Sequence, residues 1–183
     1  MGILRIIIGA IVGSIISAGA AIGLIYGGIQ VTWWLGIILA AIGIIIGGFI
    51  AGWIAQDRFP GMIAGFITGI FVFGGIVLFF YLILSAKVDA WYVAAGNDIN
   101  GTITSFLNFF SIDSSSSLGT ILTEKLTAKY TEHSGDIALL IADYIPKFSV
   151  VLGAIFGGFA VIVNSIAGRL GGRLNKIDEI TGT

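Results

Sequence analysis

Long stretches without a charged side chain alternate with shorter polar breaks along this chain. From Ile6 to Gln56 there is no Asp, Glu, Lys or Arg, and the same holds from Phe59 to Ala86 and from Phe148 to Gly168. Polar residues do not alternate with apolar ones inside these stretches, as they would in the strands of a membrane barrel. Crossing a hydrocarbon layer of ~30 Å takes ~20 apolar residues of helix. The second and third stretches each fit one such helix. The first fits two if the chain turns within it. Gly27-Gly28-Ile29-Gln30 supplies that turn, because paired glycines weaken a helix and Gln30 is strongly polar. Tyr26 before it and Trp33-Trp34 after it belong to the residue types enriched where bilayer meets water. The pattern predicts membrane spans at 6–26, 33–55, 62–84 and 148–167. Backbone groups in lipid must pair within their own segment, so each span is a helix. Gln56-Asp57-Arg58-Phe59-Pro60-Gly61 is short, charged and broken by proline, which makes the second and third spans an antiparallel hairpin.

Residues 85–147 are polar enough to leave the membrane and too apolar for a plain linker. Trp91 and Tyr92 fit the interface, and 97–102 reads as a turn. Residues 102–112 carry Ile103, Phe106, Leu107, Phe109 and Phe110 on one helical face, suited to lying on the bilayer surface or on the helices below. Ser117 is placed to cap a helix running to Tyr130, with Leu118, Ile121, Leu122, Leu126 and Tyr130 along one side and Glu124, Lys125 and Lys129 along the other. Ser134 is placed to cap the next helix, and Pro146 to mark the start of the last span. The expected fold is an all-α membrane protein. It comprises a three-helix region (1–84), a small helical extracytoplasmic cap (85–147), a fourth transmembrane helix (148–167) and a basic cytoplasmic tail (168–183).

Composition agrees with this division: 57% of residues are hydrophobic and 10% charged, against about 25% charged in a typical soluble domain. Arg5, Ile6–Ile16 and Ala18-Gly19-Ala20 resemble a cleavable signal peptide, but the apolar run continues to Tyr26, so a retained span is the better reading. Ile6 stands where a myristoylation motif needs Ser or Thr. Arg5, Arg58, Arg169, Arg173 and Lys176 lie at span ends on one side, while Lys87 and Lys147 flank the spans on the other. The positive-inside rule then predicts both termini in the cytoplasm and 85–147 outside. That outer segment carries seven acids against four lysines. Its Asn100-Gly101-Thr102 matches the N-glycosylation sequon, making Asn100 a candidate acceptor. The chain has no cysteine, so thiol chemistry and disulfides are excluded.

Glycine is the dominant motif, with 28 residues, many of them four apart. The series are Gly9/Gly13 and Gly19/Gly23/Gly27 in the first span, Gly43/Gly47 and Gly48/Gly52 in the second, Gly61/Gly65/Gly69 in the third, and Gly153/Gly157 in the fourth. Residues at i and i+4 share a helix face, so each series makes a shallow groove through which backbones approach closely. Gly47-Gly48-Phe49-Ile50-Ala51-Gly52-Trp53-Ile54-Ala55, a polar turn, and Gly61-Met62-Ile63-Ala64-Gly65-Phe66-Ile67-Thr68-Gly69 follow. This hairpin resembles one in small glycine-rich (glycine-zipper) membrane proteins of unknown function, frequent in archaea, where a "GGFIAGYIA–turn–GAIHGLLAG" pattern recurs. The likeness covers the second and third spans only, and Met62-Ile63 stands where a histidine often precedes the second glycine. It implies packed membrane helices and carries no activity.

Reactive chemistry is sparse. No charge lies within the spans, which disfavours proton relays and voltage sensing. The polar groups there are Ser14, Ser17, Thr68 and Asn164-Ser165, with Asn164 suited to bonding across to a neighbouring helix. Glu132-His133-Ser134-Gly135-Asp136 is where an imidazole meets carboxylates, but one histidine without cysteine falls short of a zinc ligand set. No catalytic residue, cofactor or metal is expected. Arg169, Arg173 and Lys176 are suited to anchoring on anionic lipid headgroups. A net charge of −1 disfavours nucleic acid as a partner. The expectation is a non-catalytic structural or accessory subunit, packing into a homo-oligomer or with other membrane subunits. The alternative is an uncharged pore, channel or passive transporter formed by several copies.

Overall fold

The computed structural model describes residues 2–181, with side chains through Asn175. Within them the chain forms seven helices and no strand: α1 (Gly2–Ile29), α2 (Trp33–Ala55), α3 (Arg58–Ala94), α4 (Ile99–Phe109), α5 (Ser117–Glu132), α6 (Ile137–Gly157) and α7 (Ala160–Thr181). Four segments are long and apolar enough to cross a membrane: α1, α2, α3, and α6 with α7 taken together through Asn175. The fold is an all-α membrane bundle with a small helical cap between the third and fourth spans.

Large apolar side chains face outward and small ones face in. Ile11, Ile15, Ile38, Ile42, Phe66, Phe71, Leu82, Val151, Ile162 and Ile166 are exposed, whereas the contact faces of α2 and of the Arg58 end of α3 are dominated by glycine and alanine. Water would penalise such an exterior, and lipid tails do not.

Helix α3 is the mast. Its 37 residues span ~55 Å at ~1.5 Å each, well beyond a ~30 Å hydrocarbon layer. One continuous stripe of it is buried, through Gly61, Gly65, Thr68, Val72, Ile76, Phe80, Leu84 and Val88. The stripe is small-sided at the Arg58 end and large-sided at the cap end, so the bundle changes character along its length. At one end backbones touch. At the other, Phe80 packs against Phe156 and Phe110, with ring centroids 5.2 and 6.1 Å away.

The third span was expected to end at 84, but the helix continues to Ala94. Ser85–Ala94 contains no glycine or proline, and Val88 and Trp91 carry the packed face onward from Leu84. Lys87 and Asp89 therefore lie within the helix and do not mark its end. Gly96 and Asn97, both at positive φ, end it. The helix that carries the expected fourth span likewise begins before 148. Helix α6 starts at Ile137 and runs through Pro146, with a local break at Gly158-Phe159 before α7. A single proline removes one backbone donor, which a long helix anchored on both sides of it tolerates.

The cap is α4, α5 and their connections, resting on the upper parts of α3 and α6. Its helices are capped by residues adjacent to those expected. Asp98 accepts from the amides of Asn100 and Gly101, Ser116 rather than Ser117 accepts from Gly119, and Asp136 rather than Ser134 accepts from Ala138 and Leu139. Ser134 instead adopts a left-handed turn conformation before Gly135. Helix α4 buries Ile103, Phe106 and Leu107, and the Ser111 hydroxyl that follows donates to the Ile29 carbonyl at 2.8 Å, tying the cap to the end of α1. Helix α5 is looser: Leu122 and Leu126 reach the core, while Leu118 and Ile121 remain exposed.

Candidate functional site

Two seams bring the helices together: α1 runs antiparallel to α2, and α7 runs antiparallel to α3 and parallel to α2. Along the first, α1 faces α2 in the pairs Gly28 with Gly36, Ala21 with Gly43, and Ser17 with Gly47, and Gly13 and Gly9 both reach Ala51. A methyl group added at Gly28 or Gly43 would stand 2.6–2.7 Å from backbone atoms of the facing helix. The hydroxyls of Ser17 and Thr68 donate across to the carbonyls of Ile44 and Ala10, at 3.4 and 3.3 Å. These two bonds join α1 to α2 and to α3.

Along the second seam, α7 lies in a slot between α2 and α3. Gly52 and Gly61 both abut Gly168, Gly48 and Gly65 abut Asn164, and Gly69 abuts Val161. Gly171 fits against the backbone of Phe49 and Trp53, and Gly172 against that of Asp57. The Asn175 amide then donates to the Trp53 carbonyl at 2.7 Å, which also accepts from the Gln56 amide at the end of α2. Farther along, Gly153 and Gly157 receive the side chains of Val77 and Ile76 on α3.

Asn164 sits at the centre of this slot with 0% of its surface exposed. The expectation was a hydrogen bond across to another helix. Neither its Nδ2 nor its Oδ1 meets a protein partner. It contacts Gly48 and Gly65 through shape alone, since the facing backbones have their own polar groups engaged in helix. Ser14 and Ser165 likewise turn back to carbonyls of their own helices, those of Ala10 and Val161.

The glycines expected to pack do not all do so. Gly9, Gly13, Gly43, Gly47, Gly48, Gly52, Gly61, Gly65, Gly69, Gly153 and Gly157 are buried between helices. Gly19, Gly23 and Gly27 are not: each faces open space, with no atom within 4 Å of where a Cβ would stand. Helix α1 has already spent its opposite face on α2 and α3, through Ser17, Ala21, Ile25 and Gly28. Conversely, Gly36, Gly168, Gly171 and Gly172 pack tightly, although none formed part of an expected series. Gly168/Gly172 has the same four-residue spacing, but it lies among Arg169 and Arg173 and reads as tail.

At the end of the bundle away from the cap, Arg58 at the start of α3 and Arg169 and Arg173 one turn apart on α7 surround a recess of about 380 Å³, with Met62, Ser165, Ile166 and Leu170 completing its wall. Lys176, grouped with these arginines from the sequence, has a side chain outside the described residues. In the cap, His133 Nδ1 lies 2.8 Å from the Lys129 carbonyl and Nε2 3.3 Å from Asp143, which also pairs with Lys147. The imidazole thus pins the end of α5 to α6, and neither Glu132 nor Asp136 joins it. Glu132 pairs with Lys129 and Asp136 caps α6. Among the described residues, no three metal-ligating side chains converge. Asn100 is exposed on the first turn of α4, while the Thr102 hydroxyl is buried and bonded to the Asp98 carbonyl.

No protein-family model, curated protein or solved structure matches this chain.

Proposed function

We propose that this protein is a non-catalytic structural or accessory membrane subunit that associates through the outer face of α1 with a second copy or another membrane subunit. The observation that carries the reading is the Gly19/Gly23/Gly27 stripe, which meets no other helix among the described residues although every other four-residue series is used internally. Lipid gives helices no hydrophobic reason to associate, and close backbone approach along small residues supplies one. A glycine series retained on the outward face suits a second helix better than it suits acyl chains.

The reading is tested by native mass spectrometry and sedimentation in mild detergent, comparing the parent with Gly19→Leu, Gly23→Leu and the double variant. Since no other helix among the described residues lies near either position, these variants are expected to keep the protomer fold and lose the assembly. A strictly monomeric parent without co-purifying subunits sinks the proposal, and so does an assembly untouched by both substitutions.

A pore shared between copies is the competing function. Its lining would come from exposed positions such as the α1 stripe, because Asn164, Ser17 and Thr68 are enclosed within one chain. Proteoliposomes of the purified protein are expected to leak no faster than empty vesicles.

In this reading both termini are cytoplasmic and the cap lies outside. The support is that Arg5, Arg58, Arg169 and Arg173 gather at the end of the bundle remote from the cap. The absence of native cysteine lets single cysteines at Ser115 and Phe59 report sidedness. A membrane-impermeant maleimide on intact cells is expected to label the first and spare the second.

A further inference from the structure

We propose that the recess among Arg58, Arg169 and Arg173 is a binding site for the phosphate headgroup of one anionic phospholipid. This does not depend on the association proposed for α1, which uses a different face of the bundle.

Three guanidiniums converge from two helices distant in sequence, around a recess of about 380 Å³. All three residues are exposed, and among the described residues none forms an ion pair and no carboxylate lines the recess. Like charges brought together repel. Arginine presents paired N–H donors that match phosphate oxygens, so an anion seated here turns the repulsion into several charge-assisted hydrogen bonds. Arg58 also occupies the first turn of α3, where the helix dipole and free amides favour negative charge.

The remaining wall decides between a lipid and a free anion. Met62, Ile166 and Leu170 are apolar, and Ile166 and Leu170 continue an exposed strip on α7 that includes Ile162. A soluble phosphate gains nothing from that strip. An acyl chain hanging from a seated headgroup lies along it, within the bilayer. The site therefore has the two-part character of a phospholipid at the membrane surface: cations above, aliphatic side chains below.

Native mass spectrometry in mild detergent tests this with phosphatidylglycerol, phosphatidylcholine and inorganic phosphate as probes. The parent is expected to retain one phosphatidylglycerol selectively over phosphatidylcholine. Arg58→Gln, Arg169→Gln and Arg173→Gln are each expected to weaken that binding about fivefold, the factor for one basic residue at an anionic surface. Arg5→Gln, which removes an exposed arginine outside the recess, is expected to leave it unchanged. Millimolar inorganic phosphate is expected not to displace the lipid. The proposal is overturned if the parent shows no preference for phosphatidylglycerol. It also falls if Arg5→Gln weakens binding as much as the recess variants, which would mean diffuse attraction to the surface. Displacement by inorganic phosphate would instead assign the recess to a free anion.

Discussion

Gly52→Ala and Gly23→Ala make the same chemical change on two transmembrane helices and are expected to act in opposite directions. A Cβ at Gly52 would overlap the backbone of Gly168, with the carbonyl oxygen and the Cα both within 2.5 Å. Ordinary C···O contacts lie at about 3.3–3.6 Å, so α2 and α7 must part by roughly an ångström. The obstruction is backbone, and no rotamer change relieves it. A gap of that size forfeits about a quarter to a half of the dispersion well for atoms facing each other along the seam. Overpacking costs about 1–3 kcal/mol where side chains share the strain. With two rigid helices the top of that range applies, so Gly52→Ala is expected to lose about 3 kcal/mol, or more than a hundredfold in the folding equilibrium. Gly23→Ala meets open space and gains up to about 1 kcal/mol in helix propensity.

Unfolding in mixed micelles of mild detergent and SDS, followed by tryptophan emission and circular dichroism, measures both. Gly168→Ala fills the same crossing from the other side, and the double variant should fall short of additivity because the first substitution has already separated the helices. A Gly52→Ala protein within about 0.5 kcal/mol of the parent, as expected of an uncommitted surface site, would refute the reasoning: the crossing of α2 and α7 could not then be so close.

Three further outcomes follow from the geometry. Asn164→Ala should change stability by less than about 1 kcal/mol or raise it, because relief of about 1–3 kcal/mol for a buried unpaired amide offsets the lost packing; a larger loss in the same unfolding assay would mean that the amide is bonded after all. Ser111→Ala leaves the Ile29 carbonyl without its hydroxyl partner, at about 1 kcal/mol, and should show as faster hydrogen exchange in α4 with α1 and α2 unchanged. The hydroxyl of Tyr130 lies 2.9 Å from that of Tyr92, and this hydrogen bond holds the Tyr130 phenol above its ordinary value of 10.0. A raised folded value means that the contribution is full below the unfolded value and fades as pH climbs through the folded one. Absorbance titration near 295 nm should thus find one late-ionising tyrosine that returns toward 10.0 in Tyr92→Phe.

Which helices exist was legible because hydropathy and the bilayer act on the same length scale. Charge-free runs of about 20 residues with a break on either side leave few ways to cross a membrane. The first break nevertheless falls after Ile29 rather than at Gly27-Gly28, and the second at Gln56-Asp57, with Pro60 already inside the first turn of α3. Where those helices end was less legible. Lys87 and Asp89 look like the close of the third span, yet a helix outside lipid needs only an unbroken run of tolerant residues and something to lean on. Val88 and Trp91 against the cap provide that support. The same holds for α6, which begins at Ile137 and passes Pro146 without a break in helix. Cap residues were misplaced by one or two positions for a simpler reason. Ser116 and Ser117, and Ser134 and Asp136, are equivalent in chemistry, and only the backbone decides which oxygen reaches the free amides.

The glycine pattern shows what spacing does and does not encode. A four-residue repeat says that a face is smooth and leaves unsaid which helix lies against it. Gly19/Gly23/Gly27 and Gly61/Gly65/Gly69 are indistinguishable as motifs, yet one looks outward and the other holds α7. The difference comes from the competition among α2, α3 and α7 for the same narrow space. Gly168, Gly171 and Gly172 give α7 a backbone surface on two sides, toward α3 and toward α2, and a helix smooth on two sides can enter a slot. Helix α1 is smooth on two sides as well, but one of them is already taken by α2. With α7 in the slot, no helix among the described residues covers the other. The outward stripe is thus a consequence of how the fourth span packs, and Gly168 is the residue through which that packing is most sensitive to change. A protein carrying Gly168→Leu should lose α7 from the slot and expose Gly48, Gly52 and Gly65, a second smooth surface competing with the α1 stripe. Mixed, heterogeneous oligomers in native mass spectra are the expected signature, whereas a uniform assembly like that of the parent would show that the two faces are not interchangeable.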